Sequence, residues 1–179
     1  MLLKTAWVIL FFLISSLSSA NVDNITGNEE GVIKFVVKNE STERNVNIDS
    51  YWSNEIIKRV PNSDVRKQSI FTISNAPWTY GYLTISIDNS QFTMAVISGY
   101  ENFTPIIKVK FDEGSVTNSE QSVTDFIGTG NSFPYIDSLI DLPLSSYFIN
   151  TELYEENEEI FLVMCISDSS THDECKYQD

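Results

Sequence analysis

The sequence predicts an all-β fold, an antiparallel β-sandwich of about seven or eight short strands. Three observations predict it. Apolar and polar residues alternate with period two through most segments between Gly31 and Phe111. Turn signals rich in Asn, Ser, Gly and Asp separate these segments at close intervals. Helix patterns are confined to two short stretches, and there is no internal repeat or low-complexity tract.

The first segment lies outside that fold. Residues 1–20, MLLKTAWVILFFLISSLSSA, place Lys4 before the apolar run Ala6 to Ile14 and end in small residues. This is the pattern of a secretory signal peptide, with a run too short to span a bilayer as a mature helix. A cut after Ala20 leaves Ser18 and Ala20 at the two positions that must be small. The mature chain, 21–179, then has 159 residues (179 minus 20) and no other long apolar segment. That length suits one domain, which buries roughly 70% of its unfolded surface.

Gly31 to Lys38, GVIKFVVK, reads as the first strand and ends in the polar turn NESTER. Asn45 to Trp52 sets Val46 and Ile48 opposite Asn45 and Asn47. Ser53 to Val60 fits a two-turn helix stopped by Pro61, and fits a strand as well. Gln68 to Ser74 puts Phe71 and Ile73 on one side. A hairpin follows, with Leu83, Ile85 and Ile87 facing one way, an Asn89-Ser90 turn, and Phe92, Met94 and Val96 on the return. Ile106 to Phe111 alternates Ile107, Val109 and Phe111 with Lys108 and Lys110. Asp112 to Pro134 is a long irregular excursion before the C-terminal strand, with a short helix at Ser122 to Ile127 ended by Gly128. Glu159 to Ile166, EIFLVMCI, is apolar almost throughout, as a central strand should be.

Charge and cysteine usage limit the functions available. The formal charge is −14, and −15 once Lys4 leaves with the signal. Such a surface repels nucleic acid and anionic lipid. The two cysteines, Cys165 and Cys175, form an even pair in an exported chain and read as one local disulfide. Closing so short a loop stabilises by roughly 2–3 kcal/mol on the chain-entropy model.

Catalytic and metal chemistry find little support. The single histidine, His172, lies inside the cysteine loop beside Asp173 and Glu174, with no GxSxG serine or free thiol to serve. Carboxylate hydrolysis needs two acids across a cleft, and Asp88, Glu101, Asp112, Glu113, Asp137 and Asp141 are equivalent candidates by sequence. Glu155 to Glu159 gathers oxygen ligands without the wrap that calcium requires, and reads as a solvated, charged entrance to an apolar strand.

Aromatic residues form the more informative constellation. Trp52 ends one strand, Trp78 and Tyr80 lead into the hairpin, and Tyr100 leaves it at the same end. The Asn89-Ser90 turn would set Tyr82 opposite Ile97 and gather these rings at one pole. Rings beside Asn and Glu suit sugar faces or lipid head groups, and equally suit capping of the core where the sheets close.

At this point the residues resemble a family. Tyr51-Trp52-Ser53-Asn54 with Lys58-Arg59 and Pro61, Gln68-Ser69-Ile70-Phe71-Thr72, Trp78, Phe92-Thr93-Met94-Ala95 and Ser98-Gly99-Tyr100 occur in order. Ser122-Val123 with Phe126 and Gly128, Leu162-Val163-Met164-Cys165-Ile166-Ser167 and Glu174-Cys175-Lys176 complete the series. Together they are similar to the thermostable direct hemolysin family of secreted bacterial toxins. The segment before Gly31 and the stretch from Glu101 to Pro134 depart from the family's pattern.

The resemblance implies a secreted pore-forming hemolysin, a homotetramer of β-sandwich protomers, with no enzymatic activity and no cofactor. It also implies the Cys165–Cys175 bond. It assigns an inter-subunit cation–π contact to Arg59 and Tyr154, a contact worth roughly 0.5–2 kcal/mol. The partners expected are therefore other copies of the chain and a host cell membrane. The negative charge favours neutral lipid or glycolipid as the contact. Two alternatives stand beside this reading: a secreted, non-catalytic glycan-binding module using Trp52, Trp78, Tyr80 and Tyr100, and a carboxylate-dependent hydrolase.

Overall fold

The computed structural model of the chain describes residues 31–101, 104–128, 132–133, 140–144 and 147–168, with Cys175 and Tyr177. The expected signal peptide and His172 lie outside the described residues, as do Asp137 and the side chains of Glu101 and Asp141.

Period-two alternation becomes two stacked sheets. The strands are β1 (Val32–Asn39), β2 (Val46–Ser53), β3 (Ile57–Arg59), β4 (Gln68–Ser74), β5 (Thr79–Ile87), β6 (Ser90–Glu101) and β7 (Thr104–Glu113). Helix α1 (Glu120–Ile127) follows, then β8 (Ser132–Phe133), β9 (Ile140–Leu144), β10 (Tyr147–Glu156) and β11 (Glu159–Ser167). One sheet runs β3-β4-β1-β11-β10-β9 and the other β2-β5-β6-β7-β8. The expected sandwich is present. Its larger sheet is mixed, because β1 and β11, the first and last strands, pair in parallel at its centre.

The core lies where the inner faces meet. Ile33, Phe35 and Val37 of β1, with Leu162 and Met164 of β11, pack against Leu83 and Ile85 of β5 and Met94 and Val96 of β6. Each such side chain contributes about 1.5–3 kcal/mol on full burial. Phe71 of β4 joins the layers, its ring centroid 5.4 Å from Phe35 and 5.1 Å from Tyr51 of β2 on the other sheet.

Both sheets also carry apolar clusters on their outer faces. On the smaller sheet, Tyr82, Ala95 and Ile97 are covered by Val116 and by Val123 and Ile127 of α1. The excursion after Asp112 is thus anchored. The Ser119 side chain caps the helix by accepting the Ser122 N–H, and Gly128 ends it at φ 61°. On the larger sheet, Val36, Ile70, Phe161 and Val163 are covered by Cys175 and Tyr177, held there by the Cys165–Cys175 disulfide. The expected staple is formed.

Two local readings are resolved or corrected. Ser53 to Val60 contains strand β3, not a helix. Every residue of β3 is exposed, so there is no buried face for a helix to gain from. The Ser74 N–H instead donates to the Ile56 carbonyl at 2.9 Å along the edge of β4. The hairpin turn is Asp88-Asn89 rather than Asn89-Ser90, since Ile87 pairs with Ser90. Tyr82 therefore faces Ala95, and Ile97 faces Tyr80. Asp88 takes the left-handed conformation (φ 52°) because its carboxylate is engaged by Arg44 at 2.8 Å and by the Asn45 N–H.

Two carboxylates link this frame to pH. The Arg44 guanidinium holds Asp88 below its ordinary value of 3.8. The Ser41 hydroxyl, then the Thr42 N–H, do the same for Asp168. A carboxyl depressed in the folded state stabilises it fully above the unfolded value. That contribution is lost as pH falls below 3.8 through the folded value. The expected result is a melting temperature that falls on acidification, with a shallower acid-side slope in Asp88→Asn/Asp168→Asn. Calorimetry across that range checks it, and identical slopes would refute the assignment.

Candidate functional site

Four aromatic residues were expected at one pole, and the sheet divides them into two groups. Trp52 pairs with Tyr82 and Tyr80 with Ile97, which puts both on the outer face of the smaller sheet. There they pack, partly buried, against the cluster beneath α1. Trp78 and Tyr100 remain outside it, 48% and 50% exposed. These two rings are the most exposed of the four.

Trp78 is held outward by its backbone. Its φ of 66° is a conformation that bulky residues rarely adopt. Asn54 brackets it. The Asn54 Nδ2 donates to the Trp78 carbonyl at 3.0 Å, and its Oδ1 accepts the Tyr80 N–H at 2.7 Å. The Thr79 hydroxyl closes the turn from below, accepting the Ala76 N–H at 2.8 Å and donating to the Ala76 carbonyl at 2.7 Å. The ring lies across Gly99, where a Cβ would come within 2.8 Å of the Trp78 Cε3. Gly99 thus acts as the seat for the ring. Such a backbone persists only where the surroundings over-determine it, and here the Asn54 and Thr79 hydrogen bonds do so.

A second exposed patch is the edge strand β3 with the residues that flank it, Ile56 and Val60. Ile56 and Val60 are 66% and 58% exposed, and Lys58 and Arg59 stand exposed between them. Large exposed aliphatics thus stand beside cations on a chain otherwise rich in acids.

Arg59 and Tyr154 lie on one level of the larger sheet. Arg59 pairs with Thr72, Thr72 with Lys34, Lys34 with Phe161 and Phe161 with Tyr154. Four strand spacings separate them, about 19 Å at 4.7–4.9 Å each. They do not meet within one protomer.

Of the acids expected to compete for catalytic roles, the three whose side chains are described are engaged or exposed. Asp88 is paired with Arg44, Asp112 with Lys110 at 3.1 Å, and Glu113 is exposed. Glu155, Glu156 and Glu158 are exposed at the β10–β11 turn, whose Asn157 and Glu158 both have positive φ, and Glu159 pairs with Lys34. Among the described residues no group of three or more potential ligands is placed to hold a metal, and no helix is long and apolar enough to cross a membrane.

Asn54, Gly99 and the exposed aliphatics flanking β3 are not singled out by sequence as site residues. The Ser98-Gly99-Tyr100 run was the one signal present, since a glycine inside a strand marks close approach by another group.

The structure is thus a two-sheet β-sandwich that turns a strained tryptophan and an edge strand with flanking aliphatics and cations outward. The chain belongs to the thermostable direct hemolysin family: the family described as Vibrio thermostable direct hemolysin matches residues 18–179. It is 38% identical to thermostable direct hemolysin 2 of Vibrio parahaemolyticus over 157 residues, covering 85% of this chain and 81% of that protein. It is 37% identical, over the same shares, to the thermostable direct hemolysin-related protein of Vibrio parahaemolyticus and to the thermostable direct hemolysin of Vibrio mimicus.

Proposed function

We propose that this protein is a secreted, non-enzymatic hemolysin that assembles as a homotetramer and damages host cell membranes by forming a pore. The signal peptide at residues 1–20 directs export, and the single domain at 21–179 carries the activity. The observation that carries the reading is membership of the hemolysin family along nearly the whole mature chain. The geometry supports it. Arg59 and Tyr154 lie about 19 Å apart at 4.7–4.9 Å per strand, as a contact between neighbouring subunits requires. Two different patches meeting head to tail generate a ring when the rotation closes. Trp78 and Tyr100 then supply amphipathic rings for neutral lipid or glycolipid head groups. The same two rings favour glycan binding as the second reading.

Sedimentation of wild type and Arg59→Ala, with lysis of red cells and dye release from phosphatidylcholine liposomes, tests the proposal. Wild type should sediment as a tetramer and release dye. Arg59→Ala should shift toward smaller species and lyse less, on the scale of roughly 0.5–2 kcal/mol for a cation–π contact. A wild type that stays monomeric at all accessible concentrations would end the tetramer reading. Binding to a glycan array without lysis would favour the second reading.

A further inference from the structure

The disulfide does more in this fold than close a short loop. Cys175 is 3% exposed within the outer cluster of the larger sheet, bonded to Cys165 of β11. Two residues further on, the Tyr177 backbone N–H donates to the Tyr154 hydroxyl oxygen at 2.9 Å. The rings form a connected stack. Tyr154 and Phe161 lie 4.9 Å apart and 7° from parallel, and Phe161 and Tyr177 lie 5.5 Å apart at 23°. Lys34 fastens the stack from the side, its Nζ 5.0 Å from the Phe161 ring centroid and 5.6 Å from that of Tyr177. Glu159 holds that ammonium at 2.5 Å.

We propose that Tyr177, tethered by the Cys165–Cys175 bond, is a positioning residue for subunit assembly. It fixes the Tyr154 ring before a neighbouring Arg59 arrives. This rests on the assignment of Arg59 and Tyr154 to the subunit contact. A half-buried tyrosine without an anchor at its hydroxyl must lose side-chain freedom when the interface forms. A ring already fixed by stacking and by a hydrogen bond loses less, so association is stronger. The tether matters because Cys175 stands two residues before Tyr177, and its bond to Cys165 of β11 fixes where that segment lies against the outer cluster of the sheet.

The test is a thermodynamic cycle on the full mature chain, read as the concentration at which half the protein is assembled. Sedimentation measures it for wild type, Tyr177→Ala, Arg59→Ala and the double variant, with concentration extended upward for the weaker species and chemical cross-linking as a second readout. Tyr177→Ala should raise that concentration about tenfold, within the range of a cation–π contact. In the Arg59→Ala background it should change it by less than about twofold, because residues acting through one contact do not add. Tyr177→Ala and Tyr177→Phe both keep the backbone N–H, and Tyr177→Phe, which also keeps the ring stacked on Phe161, should assemble like wild type. Cys165→Ser/Cys175→Ser should follow Tyr177→Ala even at temperatures where melting curves show it folded.

Equal weakening in both Arg59 backgrounds would overturn the proposal, because Tyr177 would then act on stability at large. Unchanged assembly in Tyr177→Ala, with a tetrameric wild type, would overturn it while leaving the assembly reading intact. A monomeric wild type would remove that reading, and the positioning role with it.

Discussion

Trp78→Ala is expected to abolish lysis of red cells and of phosphatidylcholine liposomes while leaving the protein folded. The ring is 48% exposed and rests on the Gly99 backbone rather than in the core. Truncating a tryptophan that contacts a partner costs roughly 2 kcal/mol or more of binding. A core tryptophan would instead cost about 3–5 kcal/mol of folding stability. Thermal melting followed by lysis assays distinguishes the two.

Two companion variants sharpen this prediction. At φ 66° glycine is unstrained, so Trp78→Gly should also lose lysis without destabilising the turn. Gly99→Ala retains the tryptophan but places a methyl 2.8 Å from its Cε3, so the ring must move. Binding should then weaken although no aromatic has been removed. A large fall in melting temperature for Trp78→Ala, or full lysis by it, would show that the ring is not the contact.

Much of this architecture was legible because burial on one face leaves a period-two trace. Leu83, Ile85 and Ile87, and Phe92, Met94 and Val96, face the core as their alternation implied. The hairpin turn was misplaced by one residue, yet the facing pattern survived. Moving a two-residue turn by one position changes the pairing by two, which preserves the side of the sheet. The choice between turns was made by Arg44, forty-four residues away from Asp88 in sequence, a contact that local pattern does not contain.

Strand β10 carries no clear period-two pattern, for a different reason. Its inner residues Ile149, Thr151 and Leu153 alternate with Asn150 and Glu152, which are themselves buried on the other face, while Phe148 and Tyr154 add bulk there. The aromatic pole was half legible. Chain order placed Trp52, Trp78, Tyr80 and Tyr100 at one end, but only α1 decides that Trp52 and Tyr80 are covered. A helix of eight residues folding back over that end is a tertiary event with no periodic trace in the strands it covers.

The largest stability effect belongs to a residue that the family resemblance also includes. Phe71→Ala is expected to lower folding stability by about 3–5 kcal/mol, the usual cost of deleting a buried phenylalanine. Phe71 is fully buried and touches Phe35 within its own sheet and Tyr51 across the sandwich, so its loss leaves a cavity between the layers. For a chain of this size each kcal/mol lowers the melting temperature by about 2–4 °C, so a fall of roughly 6–20 °C should appear in calorimetry. Function should respond in the opposite way to the Trp78 variant. At temperatures well below the transition, lysis per folded molecule should match wild type, because Phe71 contacts only the interior. A cost below about 1 kcal/mol would mean that neighbouring side chains collapse into the space, contrary to the packing of Phe35 and Tyr51 around it. Loss of lysis in folded Phe71→Ala would show that the core reaches the contact surface, and that the strained Trp78 turn depends on how the two sheets are spaced.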